Sequence, residues 1–122
     1  MEPTRTPKLA PYLPVRDARG LVAFLQAGLG GKLGYEDVDA DGKVNHAEVL
    51  IADSVVLIGE RPDSRPALPA MVHLYVLDVD VAYRRALAAG ASSVREPTVA
   101  PDGDRRGGVR DAWGNEWLFT TH

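Results

Sequence analysis

The second half of this sequence repeats the pattern of the first. Residues 15–17 match residues 76–78 at a shift of 61 positions (76 − 15), and residues 56–58 match residues 117–119 at the same shift (117 − 56). Identity between the halves is slight, but the order of the hydrophobic segments agrees along their whole length. A repeated order of this kind indicates a duplicated structural unit, which restricts the chain to folds built from two similar halves.

Hydrophobic periodicity predicts one strand, one helix and three further strands in each half. In the first half the predicted elements are a strand at 8–15, a helix capped by Asp17 and ending at Gly28, and strands at 32–37, 44–53 and 54–59. In the second half they are a strand at 71–77, a helix capped by Asp78 or Asp80 and ending at Gly90, and strands at 93–99, 107–111 and 116–121.

A chain of 122 residues has room for a single domain. The segment 60–70 holds three prolines and is typical of a linker. We therefore expect a flexible N-terminus at 1–7 and one domain at 8–122. That domain divides into a first module at 8–59, the linker at 60–70 and a second module at 71–122.

Composition excludes several classes of protein. There is no cysteine, so disulfides and thiolate metal sites are absent. A net charge of −3 argues against nucleic acid as a partner, because such proteins present a basic face. No apolar run is long enough to span a membrane, and the N-terminus lacks an apolar signal region. We expect a cytoplasmic protein.

Four stretches carry a resemblance to a known family: residues 11–17, 42–48, 73–80, and 103–105 together with 109–117. They resemble the vicinal oxygen chelate superfamily of glyoxalases, bleomycin resistance proteins and dioxygenases, and most closely its PhnB-like branch. The resemblance implies an α+β fold in which tandem βαβββ modules form a curled mixed sheet around a concave cavity. It also implies a homodimer.

Metal-dependent members of this superfamily place one ligand on the first strand and one on the fourth strand of each module. The corresponding residues here are Ala10, Leu57, Met71 and Leu118. Alanine and leucine have no donor atom, and a thioether suits soft copper ions better than magnesium, nickel or zinc. We therefore expect no metal cofactor.

A register shifted by two residues would place other side chains at these positions, because residues two apart share a strand face. His73 and Glu116 would then point into the cavity, where His46 and Glu48 of the third strand could complete a metal site. Thr120 would share that face. The expected ligand-binding residues are Tyr12, His46, Glu48, Leu57, His73, Tyr75, Trp113, Glu116 and Leu118. Trp113 either stacks on a ligand or packs at the sheet edge.

An apparent calcium-binding motif lies between the second and third strands. The residues that match the EF-hand pattern are Asp37, Asp39, Asp41, Gly42 and Glu48. An EF-hand also needs a helix on each side, whereas the preceding segment is rich in glycine and the following one favours a strand. An acidic hairpin turn explains the same residues, and we predict this turn.

The resemblance and the missing ligands favour a metal-free protein that binds a small aromatic or polar molecule. Such a protein would sequester a drug or metabolite, as bleomycin resistance proteins do in antibiotic resistance. The alternative is a lyase, isomerase or dioxygenase that depends on a divalent metal held by the shifted set. A third hypothesis is catalysis without metal, in which Glu48 or Glu116 is the base and His73 its partner.

Overall fold

A computed structural model describes residues 8–121. In this part of the chain two helices and eight strands follow one another as β1 (Tyr12–Val15), α1 (Ala18–Leu29), β2 (Lys32–Val38), β3 (Val44–Ile51), β4 (Ser54–Glu60), β5 (Met71–Tyr75), α2 (Val79–Ala88), β6 (Ser92–Val99), β7 (Arg105–Arg110) and β8 (Glu116–Thr121). The chain divides into two compact units between Leu68 and Pro69. The predicted α+β fold of two βαβββ repeats is confirmed. The segment 1–7, expected to be flexible, lies outside the described residues.

In the first unit the strands lie in the order β1-β4-β3-β2, and this sheet does not close. Strand β1 runs parallel to β4, and the other neighbours are antiparallel. Helix α1 packs on one face of the sheet because its apolar residues recur at helical spacing. The buried side chains between helix and sheet include Leu13, Leu21, Leu25, Val49 and Ile58.

The second unit repeats this topology with the order β5-β8-β7-β6, and its sheet is also open. Strand β5 is parallel to β8, and the other pairs are antiparallel. Helix α2 contacts β6, β7 and β8 on one face. The core on that side includes Val79, Ala86, Val109, Trp117 and Phe119. None of the helices within residues 8–121 is long and apolar enough to cross a membrane.

Several predicted boundaries were wrong by a few residues. Strand β1 begins at Tyr12 rather than at residue 8, after Pro11, which has no N–H to donate to a sheet. Helix α1 runs past Gly28 and ends at Leu29, and the glycine that ends it is Gly30 at φ 69°. Strand β5 ends at Tyr75 rather than at residue 77, and β7 occupies Arg105–Arg110 rather than 107–111.

The acidic segment between β2 and β3 is a hairpin turn, as the sequence predicts. The Asp39 carboxylate accepts hydrogen bonds from the backbone N–H groups of Asp41 and Lys43, and Gly42 takes a positive φ of 82°. Strands flank the turn on both sides, so the helices that an EF-hand requires are not formed there.

Candidate functional site

Each helix covers one face of its sheet and leaves the other face uncovered. Along β3 the side chains of Ala47 and Val49 are buried on the helix side, whereas the alternate residues His46 and Glu48 are only half-buried. Strand β8 shows the same alternation, with Trp117 and Phe119 buried and Glu116 and Leu118 half-buried. The expected binding residues on the strands therefore lie on the two uncovered faces.

On the first uncovered face, Tyr12 of β1 reaches across the middle of the sheet. Its ring stacks on His46 of β3, with ring centroids 6.2 Å apart and an interplanar angle of 21°. A Cβ atom at Gly59 of β4 would lie 1.8 Å from the phenol oxygen, so glycine at this position lets the ring pass. Leu57 pairs with Tyr12 on one side and with Glu48 on the other. Four of the expected binding residues thus lie together.

A cavity of about 440 Å³ lies beside Tyr12 and is lined by Tyr12, Pro14, Pro62, Arg65 and Leu68. Three of these residues come from the segment that follows β4, which the sequence predicts only as a linker. The Arg61 side chain holds that segment by donating a hydrogen bond of 2.6 Å to the backbone carbonyl of Arg65. Sequence reasoning missed its contribution, because proline-rich composition gives no sign of where such a segment packs.

On the second uncovered face, His73 of β5 stacks on Tyr75, with centroids 5.1 Å apart. Its Nε2 atom shares a hydrogen bond with Oγ1 of Thr120, whose side chain is otherwise buried. Glu116 accepts a hydrogen bond of 2.8 Å from Arg110, its cross-strand partner on β7. His73 and Glu116 therefore have different partners.

A pocket of about 250 Å³ on this face includes His73, Arg95, Arg106, Leu118 and Thr120 in its lining, and is called the arginine pocket below. Its two arginines were not among the expected binding residues. Arg106 stands in a local cluster of arginines at 105, 106 and 110, whose charge is offset in the sequence by acidic residues at 102, 104 and 111. Arg95 lies on β6, where the sequence shows no regular alternation.

Trp113 lies half-buried in the turn between β7 and β8. Its backbone N–H donates to the carboxylate of Asp111 at 2.9 Å. A role of its ring in stacking on a ligand stays a prediction.

Residues 8–119 match the model of the Glyoxalase/Bleomycin resistance protein/Dioxygenase superfamily. The chain belongs to this superfamily. The uncharacterized protein Mb0911c of Mycobacterium bovis is 34% identical over 123 residues, covering 91% of this chain and 80% of that protein. The assignment to the superfamily is thus confirmed, whereas the PhnB-like branch stays a prediction.

Solved structures agree with this assignment. TioX from Micromonospora sp. ML1 is similar with a TM-score of 0.77 and 25% identity, covering 95% of this chain and 96% of that chain. The hypothetical protein SA1046 from S. aureus has a TM-score of 0.73 at 24% identity, covering 95% and 97%. The similarity to SA1046 shows the fold alone.

The strand register shows which residues neighbour Leu57 and Leu118, the leucines that the resemblance aligns with fourth-strand metal positions. Leu57 pairs with Tyr12, and Leu118 pairs with His73. Ala10 lies before β1 begins, and the exposed Met71 pairs with Glu116. Tyr12 and His73, the residues beside the two leucines, thus come two positions after Ala10 and Met71 in the sequence.

In this register the cross-strand residue pairs Tyr12–Leu57, His73–Leu118 and Met71–Glu116 each contain one side chain with a nitrogen or oxygen donor. A divalent metal in this fold needs donors from both strands of a pair, and leucine offers none. Within residues 8–121 no group of three or more histidine, aspartate and glutamate side chains could hold a metal ion. The side chains at these strand positions therefore do not fit the divalent ion that metal-dependent members of the superfamily bind.

Proposed function

We propose that this superfamily member binds a small aromatic or polar molecule without a metal ion and sequesters it. One observation carries the proposal: Leu57 and Leu118, which the resemblance aligns with the fourth-strand metal positions, have Tyr12 and His73 as their cross-strand neighbours. These residues lie on uncovered sheet faces that carry aromatic rings and pockets, which suits binding better than metal chemistry.

The first face offers a stacking surface for a ligand. Tyr12 and His46 are already parallel within 21°, so a planar ligand ring can extend the stack at little conformational cost. Pro14 and Leu68 supply apolar walls beside it, and the guanidinium of Arg65 supplies hydrogen-bond donors. This combination favours a flat ligand with a polar substituent.

Catalysis without metal receives less support from the geometry. A glutamate base and its histidine partner must both reach the reacting group, and commonly bond one another. His73 is instead hydrogen-bonded to Thr120, and Glu116 accepts a hydrogen bond from Arg110. Binding therefore accounts for these contacts more simply than proton transfer.

The proposal is tested by elemental analysis of protein purified without chelators, followed by titration with nickel, manganese, zinc and iron(II). We expect no ion above background and no affinity beyond that of surface carboxylates. A single tightly held ion per chain that is lost in His73→Ala would contradict the proposal. That result would support the metal-dependent lyase, isomerase or dioxygenase.

Binding itself is tested by a thermal-shift screen of planar aromatic compounds against wild-type protein and Tyr12→Ala. We expect a hit that raises the melting temperature of the wild type and leaves that of Tyr12→Ala nearly unchanged, because the variant lacks the stacking ring. Val81→Ala, at an exposed position of α2, serves as the matched control and should respond like the wild type.

Other features of the proposal have different grounds. The PhnB-like branch and a role in antibiotic resistance come from the family resemblance alone, and the homodimer comes from it in part. The cytoplasmic location stays a prediction from the sequence. The module boundaries at 59, 60–70 and 71 likewise stay a proposal.

A further inference from the structure

The arginine pocket differs in charge from the corresponding place in the first unit. Arg106 pairs with Thr120 across β7 and β8, as His46 pairs with Gly59 across β3 and β4. Because the two units share one topology, this fold does not itself require a guanidinium at that place. An arginine at this strand position is therefore found in the second unit only.

We propose that the arginine pocket binds the anionic group of the ligand, a carboxylate or a phosphonate. The inference rests on the proposed binding function and adds the charge class of the bound molecule. Arginine presents a planar fork of N–H donors that suits both oxyanions, and two arginines line this pocket.

The two acidic neighbours of Arg106 approach one nitrogen of its guanidinium group. Both Asp102, at 2.5 Å, and Asp104, at 3.9 Å, approach the same nitrogen, Nη2. Neither aspartate is part of the pocket lining. The carboxylates thus hold the guanidinium from the β6–β7 turn while its side chain forms part of the pocket wall.

Arg95 adds a second positive charge to the pocket, and its side chain is hydrogen-bonded to a neutral hydroxyl group. Its Nη2 atom donates to the hydroxyl of Thr98 at 3.2 Å, and none of the ion pairs found within residues 8–121 involves it. A hydroxyl orients a guanidinium without cancelling its charge. An anion at this place would therefore gain charge-assisted hydrogen bonds.

Thr120 and Leu118 complete the recognition surface. The Thr120 side chain is 1% exposed, and its hydroxyl is bonded to His73. When Nε2 of His73 carries the proton and donates it, the hydroxyl hydrogen of Thr120 is left for an acceptor in the pocket. Leu118 supplies an apolar wall, so the ligand expected here has an apolar body attached to its anionic group.

The test compares three probes that share a phenyl ring and differ in the charge of its substituent: phenylphosphonate, benzoate and neutral benzamide. Their affinities are measured by calorimetry or by chemical-shift titration in 50 mM and 300 mM sodium chloride. We expect at least one anion to bind about tenfold more tightly than benzamide. Its affinity should fall at the higher salt concentration. The two anions distinguish a carboxylate ligand from a phosphonate ligand.

Arg95→Met and Arg106→Met should each weaken anion binding about tenfold and leave benzamide binding unchanged. Arg106→Lys keeps the charge but loses the fork, and should be intermediate. Arg84→Met, on the exposed surface of α2, makes the same charge change and should match the wild type. Melting curves confirm that each variant is folded.

Equal binding of benzamide and the anions would overturn the inference and leave the proposed binding function standing. Absence of binding by all three probes would also overturn it. A tightly held metal ion, by contrast, contradicts the proposed function whatever the probes do, so the two failures are distinguishable.

Discussion

Asp111 is a carboxylate with 5% exposure in the hairpin between β7 and β8. It accepts hydrogen bonds from the backbone N–H groups of Trp113 and Asn115, from the Asn115 amide and from the Trp117 indole N–H at 2.9 Å. Asn115 in turn accepts a bond from the backbone N–H of Ala70. One side chain therefore holds the turn and, through Asn115, the chain entering β5.

Asp111→Ala should destabilise the protein by about 3 kcal/mol, because it leaves several buried donors without an acceptor. Urea unfolding followed by tryptophan fluorescence measures the difference. Asp41→Ala removes an exposed carboxylate from the β2–β3 turn and should change stability by less than about 0.5 kcal/mol. Equal effects of the two substitutions would show that the hydrogen bonds of Asp111 add nothing to the stability of the fold.

Helix α1 has an unusual start, because its capping residue Asp17 lies in the left-handed region at φ 70°. The Asp17 carboxylate accepts from Gly20, while Glu60 at the end of β4 accepts from the backbone N–H groups of Asp17, at 3.0 Å, and Ala18, at 2.8 Å. Glu60 thereby joins the helix to the sheet. A negative charge at a helix N-terminus is also favourable electrostatically.

Glu60→Ala should cost about 1–2 kcal/mol, since two backbone donors at the start of α1 lose their acceptor. Glu60→Gln keeps one oxygen and should cost less. Chemical denaturation of the three proteins gives these values, and Glu36→Ala on the edge strand β2 is the control. A loss in Glu36→Ala as large as that in Glu60→Ala would count against the capping role.

The second helix is tied to its sheet by an ion pair between Asp80 and Arg105, with contacts of 2.6 and 2.9 Å. The hydrogen bond from Arg105 lowers the pKa of the Asp80 carboxyl below its ordinary value. The pair raises the pKa of Arg105 in return. A carboxyl with a lowered pKa stabilises the fold above its ordinary pKa, and this contribution is lost as the pH falls towards the folded pKa.

Asp80→Asn should therefore lower the melting temperature at neutral pH and approach the wild type in acid. The two proteins should differ most above the ordinary pKa of an aspartate, about 4, and progressively less as the pH falls below it. Melting curves at several pH values measure the convergence. A constant difference across this range would mean that the charge on Asp80 does not contribute.

At the level of elements, the sequence predicted what depends on local patterns. The alternation of β3 and the Asp41–Gly42 turn were sufficient for the β2–β3 hairpin, because both are encoded by neighbouring residues. The helix end was misplaced because Gly28 and Gly30 both qualify as ending residues. Only packing distinguishes them: Gly28 is buried within α1, and Gly30 takes the positive φ.

Part of the candidate site was also predicted from local sequence patterns. Alternation places His46, Glu48, His73 and Glu116 on uncovered faces without reference to tertiary contacts. The register between β5 and β8 depends on long-range pairing, so a shift of two residues could not be decided from spacing. Arg95 was missed because the pairing of β6 with β7 is irregular between Arg95 and Thr98, next to Pro97, and the sequence shows no alternation there.

The molecule as a whole is a duplication in which topology was kept and surface chemistry diverged. Both sheets have the same strand order and a helix on one face. Both uncovered faces stack a tyrosine on a histidine, but the pocket on the second face is also lined by two arginines. Core positions are constrained by packing, whereas the uncovered faces are free to change, so differences between the two units identify residues kept for binding rather than for folding.

Large apolar side chains on the uncovered faces bear on the oligomeric state. Met71 is 71% exposed, Tyr75 58% and Tyr12 53%, and a monomer gains nothing from leaving such groups in water. Superfamily members are often dimers, so we expect a homodimer of 13.1 kDa chains. Light scattering across a hundredfold dilution should give about twice the chain mass. Met71→Glu should favour the monomer, Val81→Glu on α2 should not, and a monomer at every concentration would contradict the prediction.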